Sequence, residues 1–231
     1  MNAPLIASLA AAGLAAGWIQ RAVIIRLAVP ADQLDAPDVE RAARPSALAV
    51  GRAARPPALA VGCATAVLLG ALAARVHPGL VLAAACWLAA CAVPLAFVDA
   101  AVRRLPDRLT VTAYAGTAAL LLLAAAVTGP WSALPRAALG GLALAGFYLL
   151  LLLISPSGMG LGDVKLAASL GTLLAWFGWR VLIGGGFAGF LLAALYALLL
   201  LLAGRAGRKQ HIPFGPFMIA GAVLAVLAWP G

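Results

Sequence analysis

Long apolar runs separated by short polar segments dominate the chain. Eight of these runs are roughly 17 to 25 residues long, the length at which a helix crosses the hydrocarbon core of a bilayer. The runs lie near residues 4–28, 58–76, 79–98, 109–128, 137–154, 163–178, 181–203 and 212–229. This pattern predicts an all-α fold: a polytopic membrane bundle of about eight transmembrane helices.

The composition supports the membrane interpretation. Of 231 residues, 65% are hydrophobic and 10% charged, and the mean hydropathy of +1.07 lies far above that of soluble domains. The first apolar run contains Arg21 and Arg26, is too long for the core of a signal peptide and lacks a clear small-residue cleavage site. It is therefore predicted to be a retained anchor.

The formal charge of +9 reports topology rather than nucleic-acid binding, because the basic residues flank the apolar runs and form no patch interleaved with aromatics. If the N-terminus lies outside, thirteen of the sixteen Lys and Arg fall on one side of the membrane. Only Arg75, Arg136 and Arg180 fall on the other. The positive-inside rule makes the first side cytoplasmic, which predicts a multi-pass protein of the inner membrane.

One segment interrupts the membrane pattern and divides the chain. Residues 31–57 are rich in Pro, Ala and Arg, as expected of a solvated linker, and separate an anchor at 1–30 from a membrane-embedded domain at 58–231. A tandem copy begins in this linker: "RAARPSALAVG" (41–51) precedes "RAARPPALAVG" (52–62). Two copies of an 11-residue unit are too few for a solenoid and indicate a local duplication.

Outside the linker the chain has three acidic residues, Asp99, Asp107 and Asp163. An ionisable group within a span costs about 2.5–3.5 kcal/mol at the bilayer centre, so such residues are candidates for function. Asp107 beside Arg108, and Asp163 near Lys165, could instead be ordinary charges facing lipid headgroups. Asp99 follows the apolar run "CAVPLAFV" and fits that alternative poorly.

Asp99 and Asp163 are predicted to meet. Asp99 lies at the cytoplasmic end of the third span, and Asp163 lies at the cytoplasmic entrance of the sixth. Two carboxylates at one site cannot both ionise freely, so the pair can share a proton. A pair of this kind suits general acid and base catalysis on water, as in aspartic proteases. Hydrolysis of a peptide bond is the predicted reaction.

Three glycines, Gly158, Gly160 and Gly162, precede Asp163. They would remove side chains where backbone or substrate approaches Asp163, and would allow torsions that other residues resist. The alternatives are a flexible loop or tight helix packing. A phosphate-binding loop is disfavoured, because the Walker spacing and its Lys-Ser/Thr ending are absent.

Three segments carry a family resemblance: "VDAAVRRLPDRLT", "GMGLGDVKLAASLG" and "IPFGPFMIAGA". Over about residues 60–231 the chain resembles the prepilin peptidases, the type IV leader peptidase family of membrane aspartyl proteases with a GxGD signature. The resemblance implies that Asp99 and Asp163 are catalytic. It matches Asp107 to a further acid of the first motif and Lys165 to a lysine acting through local electrostatics and orientation.

The resemblance also implies a substrate class: type IV prepilins or pseudopilins, whose short basic leader is cut at the cytoplasmic face just before an apolar helix. The partners would be these substrates and the lipid bilayer, with no nucleic acid, metal or cofactor. Pro213 and Gly215 in "IPFGPF" would bend the backbone near the site, although a simple turn before the last span is an equal alternative. His211 beside them is interpreted as an interfacial residue.

The chain departs from larger family members at one point. Those members carry a cytoplasmic insertion with paired CxxC motifs and an associated N-methylation activity, whereas no cysteine precedes Cys63 here. Peptidase activity is expected without methyl transfer. Cys63, Cys86 and Cys91 lack metal-ligand spacing and are predicted to be buried apolar residues.

Two other functions are compatible with a helical membrane bundle. A proton-coupled transporter could use Asp99 and Asp163 as a relay, but it predicts acids at the bilayer midplane and an internal repeat of spans. A silent assembly scaffold predicts the loss of an aspartate, and both are present. The sequence therefore favours the peptidase.

Overall fold

A computed structural model describes residues 3–28, 55–102, 105–155, 159–203 and 213–228. Within these ranges the chain forms eight α-helices and no strand, which confirms the all-α prediction. The helices are α1 (Ala3–Ala28), α2 (Ala58–Arg75), α3 (Leu80–Val102), α4 (Asp107–Thr128), α5 (Ala133–Ile154), α6 (Leu161–Phe177), α7 (Trp179–Leu202) and α8 (Gly215–Ala228).

Six of these helices are long and apolar enough to cross a membrane: α1 to α5 and α7. Helix α8, with 14 residues, is a shorter apolar helix, and α6 has 17 residues. Each predicted run corresponds to one observed helix, with bounds displaced by a few residues. The polytopic helical bundle is therefore confirmed, with six helices of full spanning length among the described residues.

Helix α6 occupies the centre of the bundle. Most of its residues are buried, and it packs against α3, α4, α5, α7 and α8. A helix surrounded by protein can carry polar groups at membrane depth without exposing them to lipid. Its central position explains how a segment that begins with Gly-Asp-Val-Lys can be part of a membrane bundle.

Several pairs of helices approach each other through glycine, among them α1–α2 and α7–α8. A Cβ added at Gly17 of α1 would lie 2.6 Å from the Gly62 backbone of α2. At the α7–α8 contact, a Cβ added at Gly221 would lie 2.6 Å from Gly185 O. Small residues allow membrane helices to pack backbone against backbone, which increases their van der Waals contact.

The cysteine prediction is partly wrong. Cys91 is buried and Cys86 is half-buried, but Cys63 is exposed on the outer face of α2. An apolar thiol on a membrane helix can face lipid as readily as protein, so composition alone does not bury it. Residues 31–54 of the linker, with the first copy of the duplication, lie outside the described residues.

Candidate active site

The three aspartates lie at one end of the bundle. This end, which we call the aspartate end, consists of the last turn of α3 and the first turns of α4, α6 and α8. The backbone N–H of Gly215, at the start of α8, donates a hydrogen bond to Asp99 Oδ2 of α3 at 3.0 Å. A side-chain ion pair joins Lys165 of α6 to Asp107 of α4. The first contact joins the first and last sequence motifs across 116 residues of chain, and the ion pair joins the first motif to the second.

Asp99 is buried, with 5% of its surface exposed, and the first residue of α8 contacts it directly. The N-terminus of a helix presents free N–H groups and a partial positive charge, both of which favour a carboxylate. A Cβ at Gly215 would lie 2.9 Å from Asp99 Oδ2, so any other residue here would displace the carboxyl oxygen. Pro213 is half-buried just before the helix. Gly215 therefore lies beside Asp99, and Pro213 precedes it by two residues.

Asp163 lies in the first turn of α6 and is buried, with 7% exposed. The backbone N–H of Gly160 donates to Asp163 Oδ2 at 3.0 Å, and the backbone N–H of Asp163 donates to Gly160 O at 3.1 Å. This reciprocal pair orders the start of the helix in the manner of a capping box. It also fixes the direction of the Asp163 side chain.

The second oxygen of the same carboxyl group is different. Asp163 Oδ1 is buried and has no hydrogen-bond partner among the described residues. An unsatisfied buried acceptor costs about 1–3 kcal/mol, more when it is charged, and each one in a native fold requires an explanation. Here the explanation can be functional: the atom is placed to accept a hydrogen bond from water or substrate.

The glycines before Asp163 differ in their roles. A Cβ at Gly162 would lie 2.5 Å from Leu105 Cβ, so the connection between α3 and α4 approaches α6 at this point. Gly160 has an ordinary extended backbone (φ −103°, ψ 158°), and nothing crowds its missing side chain closer than 3.8 Å. The close contact at Gly162 is with Leu105, and no special torsion is found at Gly160. Gly158 lies outside the described residues.

Asp107 and Lys165 pair with each other rather than joining the buried carboxyl groups. Their Oδ1 and Nζ atoms are 2.5 Å apart, and the side chains are 72% and 42% exposed respectively. An exposed ion pair contributes at most about 1 kcal/mol. The pair links the start of α4 to α6.

Aromatic residues that the sequence did not single out lie next to the carboxyl groups. Tyr148 of α5 is 1% exposed, and its ring centroid is 5.7 Å from that of Phe214 and 5.5 Å from that of Phe190. Phe214 precedes Gly215, and the Tyr148 hydroxyl lies within electrostatic range of the Asp163 carboxyl. The only signal in the sequence was a lone phenol within "GFYLLLLLI".

The opposite end of the bundle carries the minority of the basic residues. Arg75 ends α2, Arg180 begins α7, and Arg136 lies in the first turn of α5. Arg136 donates from Nε to Ala175 O at 2.7 Å and from Nη2 to Trp176 O at 2.5 Å, so it caps the C-terminus of α6. The predicted division of these three residues from the aspartates therefore matches the ends of the helices.

Comparison with known proteins identifies the family. Residues 82–202, more than half of the chain, match the model of the type IV leader peptidase family. The prepilin leader peptidase/N-methyltransferase of Aeromonas salmonicida (strain A449) is 34% identical over 170 residues, covering 71% of this chain and 55% of that protein. The protein of the same name from Burkholderia pseudomallei (strain K96243) is 34% identical over 164 residues, covering 68% of this chain and 49% of that protein.

A third relative matches over a shorter stretch. The prepilin leader peptidase/N-methyltransferase of Bacillus subtilis (strain 168) is 39% identical over 87 residues, covering 37% of this chain and 34% of that protein. No solved structure matches. The chain spans about half the length of the first of these relatives. On the family match and the extent of the Aeromonas similarity, the chain belongs to the type IV leader peptidase family.

Proposed function

We propose that the chain is a membrane aspartic endopeptidase that removes the short basic leader of type IV prepilins or pseudopilins. Asp99 and Asp163 are its catalytic residues. The observation that carries the proposal is the pair of buried carboxyl groups at one end of the bundle, one of which has an oxygen without a hydrogen-bond partner among the described residues. Membership of the family supports the substrate class.

The proposed chemistry needs one carboxylate and one carboxylic acid. The carboxylate takes a proton from water as the water oxygen bonds to the carbonyl carbon of the scissile peptide. When the C–N bond breaks, the carboxylic acid gives its proton to the leaving nitrogen. Asp163 Oδ1 is suited to bind the attacking water, because it is buried and still has acceptor capacity. The Gly215 N–H keeps Asp99 in a fixed orientation.

The proposed substrate divides between water and lipid. Its basic leader stays in the aqueous phase, and the apolar helix after the cleavage site enters the bilayer. The aspartate end is formed by helix termini. A peptide bond at the boundary between water and lipid would therefore reach the carboxyl groups without crossing the membrane. Co-expression with candidate pilins tests this proposal. Leader loss on a gel is expected for a true substrate, and no loss with any pilin that carries a basic leader would contradict it.

We further propose that the aspartate end faces the cytoplasm. Single cysteines replacing Arg108 or His77, both exposed, mark the two ends in a background without Cys63, Cys86 and Cys91. The Arg108→Cys protein is expected to react with an impermeant thiol reagent only in inverted vesicles, and the His77→Cys protein only from outside. The reverse labelling pattern would overturn this orientation.

We also propose that the chain lacks the N-methyltransferase activity included in the names of its relatives. Residues 29–57 hold no cysteine to organise a metal and too little apolar surface to fold alone. Purified protein given a prepilin and labelled S-adenosylmethionine is expected to release the leader and leave the mature N-terminus unlabelled. Label on that N-terminus, dependent on this protein alone, would contradict the proposal.

A further inference from the structure

Helix α3, which carries Asp99, contains a proline five residues before it. Pro94 lies inside the helix and has no N–H, so the carbonyl of Ala90, four residues earlier, loses its regular partner. In hydrocarbon no water can take the place of that donor, so a carbonyl left without one is costly. The helix therefore has a local weakness immediately before the proposed catalytic residue.

A side chain from another helix supplies the missing donor. Gln20 Nε2 of α1 donates a hydrogen bond to Ala90 O at 3.0 Å. The Gln20 side chain is itself oriented by α2, because Thr65 Oγ1 donates to Gln20 Oε1 at 2.6 Å, a shorter distance than the 3.0 Å to its other possible acceptor, Val61 O. Both residues are buried, Thr65 completely. The amide thus uses its donor side for α3 and its acceptor side for α2, and the reverse orientation would place two oxygens against each other.

The same helix also holds α3 beyond the proline. Ile24, one turn after Gln20, packs in a buried cluster with Val61 of α2 and with Val93 and Val98 of α3. Val98 immediately precedes Asp99. Helix α1 therefore contacts α3 on both sides of Pro94, with a hydrogen bond before it and apolar packing after it.

We propose that Gln20 is a positioning residue for Asp99. It supplies the hydrogen-bond donor that Pro94 removes from α3, and α1 thereby stabilises α3 on both sides of the proline. The inference rests on the catalytic role proposed for Asp99. It assigns α1 a part in catalysis beyond anchoring, exerted through the Ala90 carbonyl of α3.

A double-mutant cycle between Gln20 and Pro94 tests the proposal. The Gln20→Leu protein is expected to have a kcat for leader cleavage lower by roughly 10- to 100-fold, since small displacements of a catalytic group have effects of this size. Its KM should stay within about two-fold, because Gln20 does not bind substrate. In the Pro94→Ala background residue 94 again donates to Ala90, so Gln20→Leu is expected to have less than about a two-fold effect.

Two threonines provide a matched pair of controls. Thr65→Val removes the donor that orients Gln20, so a smaller loss of kcat is expected, which disappears when Gln20→Leu is already present. Thr117 is equally buried, but among the described residues its hydroxyl bonds only to Ala113 O of its own helix. The Thr117→Val protein is expected to cleave at the wild-type rate.

A second measurement does not depend on cleavage activity. It is the unfolding temperature in detergent, without substrate, of the same four proteins of the cycle. Coupling between positions 20 and 94 is expected there too, even if Pro94→Ala alone abolishes cleavage. Equal effects of Gln20→Leu on kcat and unfolding temperature in both backgrounds, or no effect in the wild-type background, would overturn the positioning role of Gln20. A failure of the proposed function is distinguishable: it would appear as no leader cleavage by the wild-type protein, or as cleavage retained by Asp99→Asn, while the coupling in unfolding temperature remained.

Discussion

Replacing either Asp99 or Asp163 with asparagine is expected to lower the rate of leader cleavage by about 10²- to 10⁴-fold, the usual contribution of a general acid or base. Asparagine has nearly the same shape and can still accept the backbone hydrogen bonds from Gly215 and Gly160. It cannot take up a proton and pass it on. The variants should therefore insert and fold normally, and only the chemical step should fail.

The effect of the double variant is informative, because two residues that act as one unit are not additive. Asp99→Asn combined with Asp163→Asn should be no slower than either single variant. Asp107→Asn is the control: the side chain is exposed and pairs with Lys165, so cleavage within a few-fold of wild type is expected. Near-normal cleavage by either single variant at position 99 or 163, scored by co-expression with a substrate pilin, would refute the two-carboxylate mechanism.

The second large effect is expected at the contact between α7 and α8. A Cβ at Gly221 would lie 2.6 Å from Gly185 O and closer still to the Gly189 backbone nitrogen. Backbone atoms of a packed helix cannot move aside as a flexible side chain can. Gly221→Leu is therefore expected to cost about 3 kcal/mol or more, at the upper end of overpacking effects, and to lower the unfolding temperature in detergent.

Cleavage should fall together with stability in this variant, because α8 begins at Gly215, which contacts Asp99. Gly184 is the matched control. It lies on the exposed side of α7, and a Cβ there would meet nothing within 4 Å. Gly184→Leu should leave both the unfolding temperature and cleavage unchanged. Equal tolerance of leucine at positions 184 and 221 would show that α7 and α8 do not pack as described.

The helices were predictable from the sequence, because hydrophobic length alone determines which segments can occupy a bilayer. The third run was predicted to end at residue 98, but α3 continues to Val102, so Asp99 lies in the last turn of the helix rather than just after it. A polar residue in the last turn ends a hydropathy run without ending the backbone hydrogen bonding. The central position of α6 was not predictable, since hydropathy does not distinguish lipid contact from protein contact.

The candidate site was predictable as a set of residue types but not as a set of contacts. The scarcity of acids outside the linker identified Asp99 and Asp163, and the last motif identified Gly215. The hydrogen bond from Gly215 to Asp99 spans 116 residues and required the tertiary structure. The role of Gln20 was not predictable either. Its partner is a main-chain carbonyl on another helix, and that carbonyl lacks its regular donor because of Pro94.

The most direct test of the account uses purified protein in liposomes, a full-length prepilin and intact-mass spectrometry of the product. Wild-type protein is expected to convert the prepilin to a species lighter by the mass of the leader. Asp163→Asn protein, purified and reconstituted in parallel, should leave the prepilin mass unchanged. Leader release by the Asp163→Asn protein, or an unchanged prepilin mass with folded wild-type protein, would contradict hydrolysis by the Asp99–Asp163 pair.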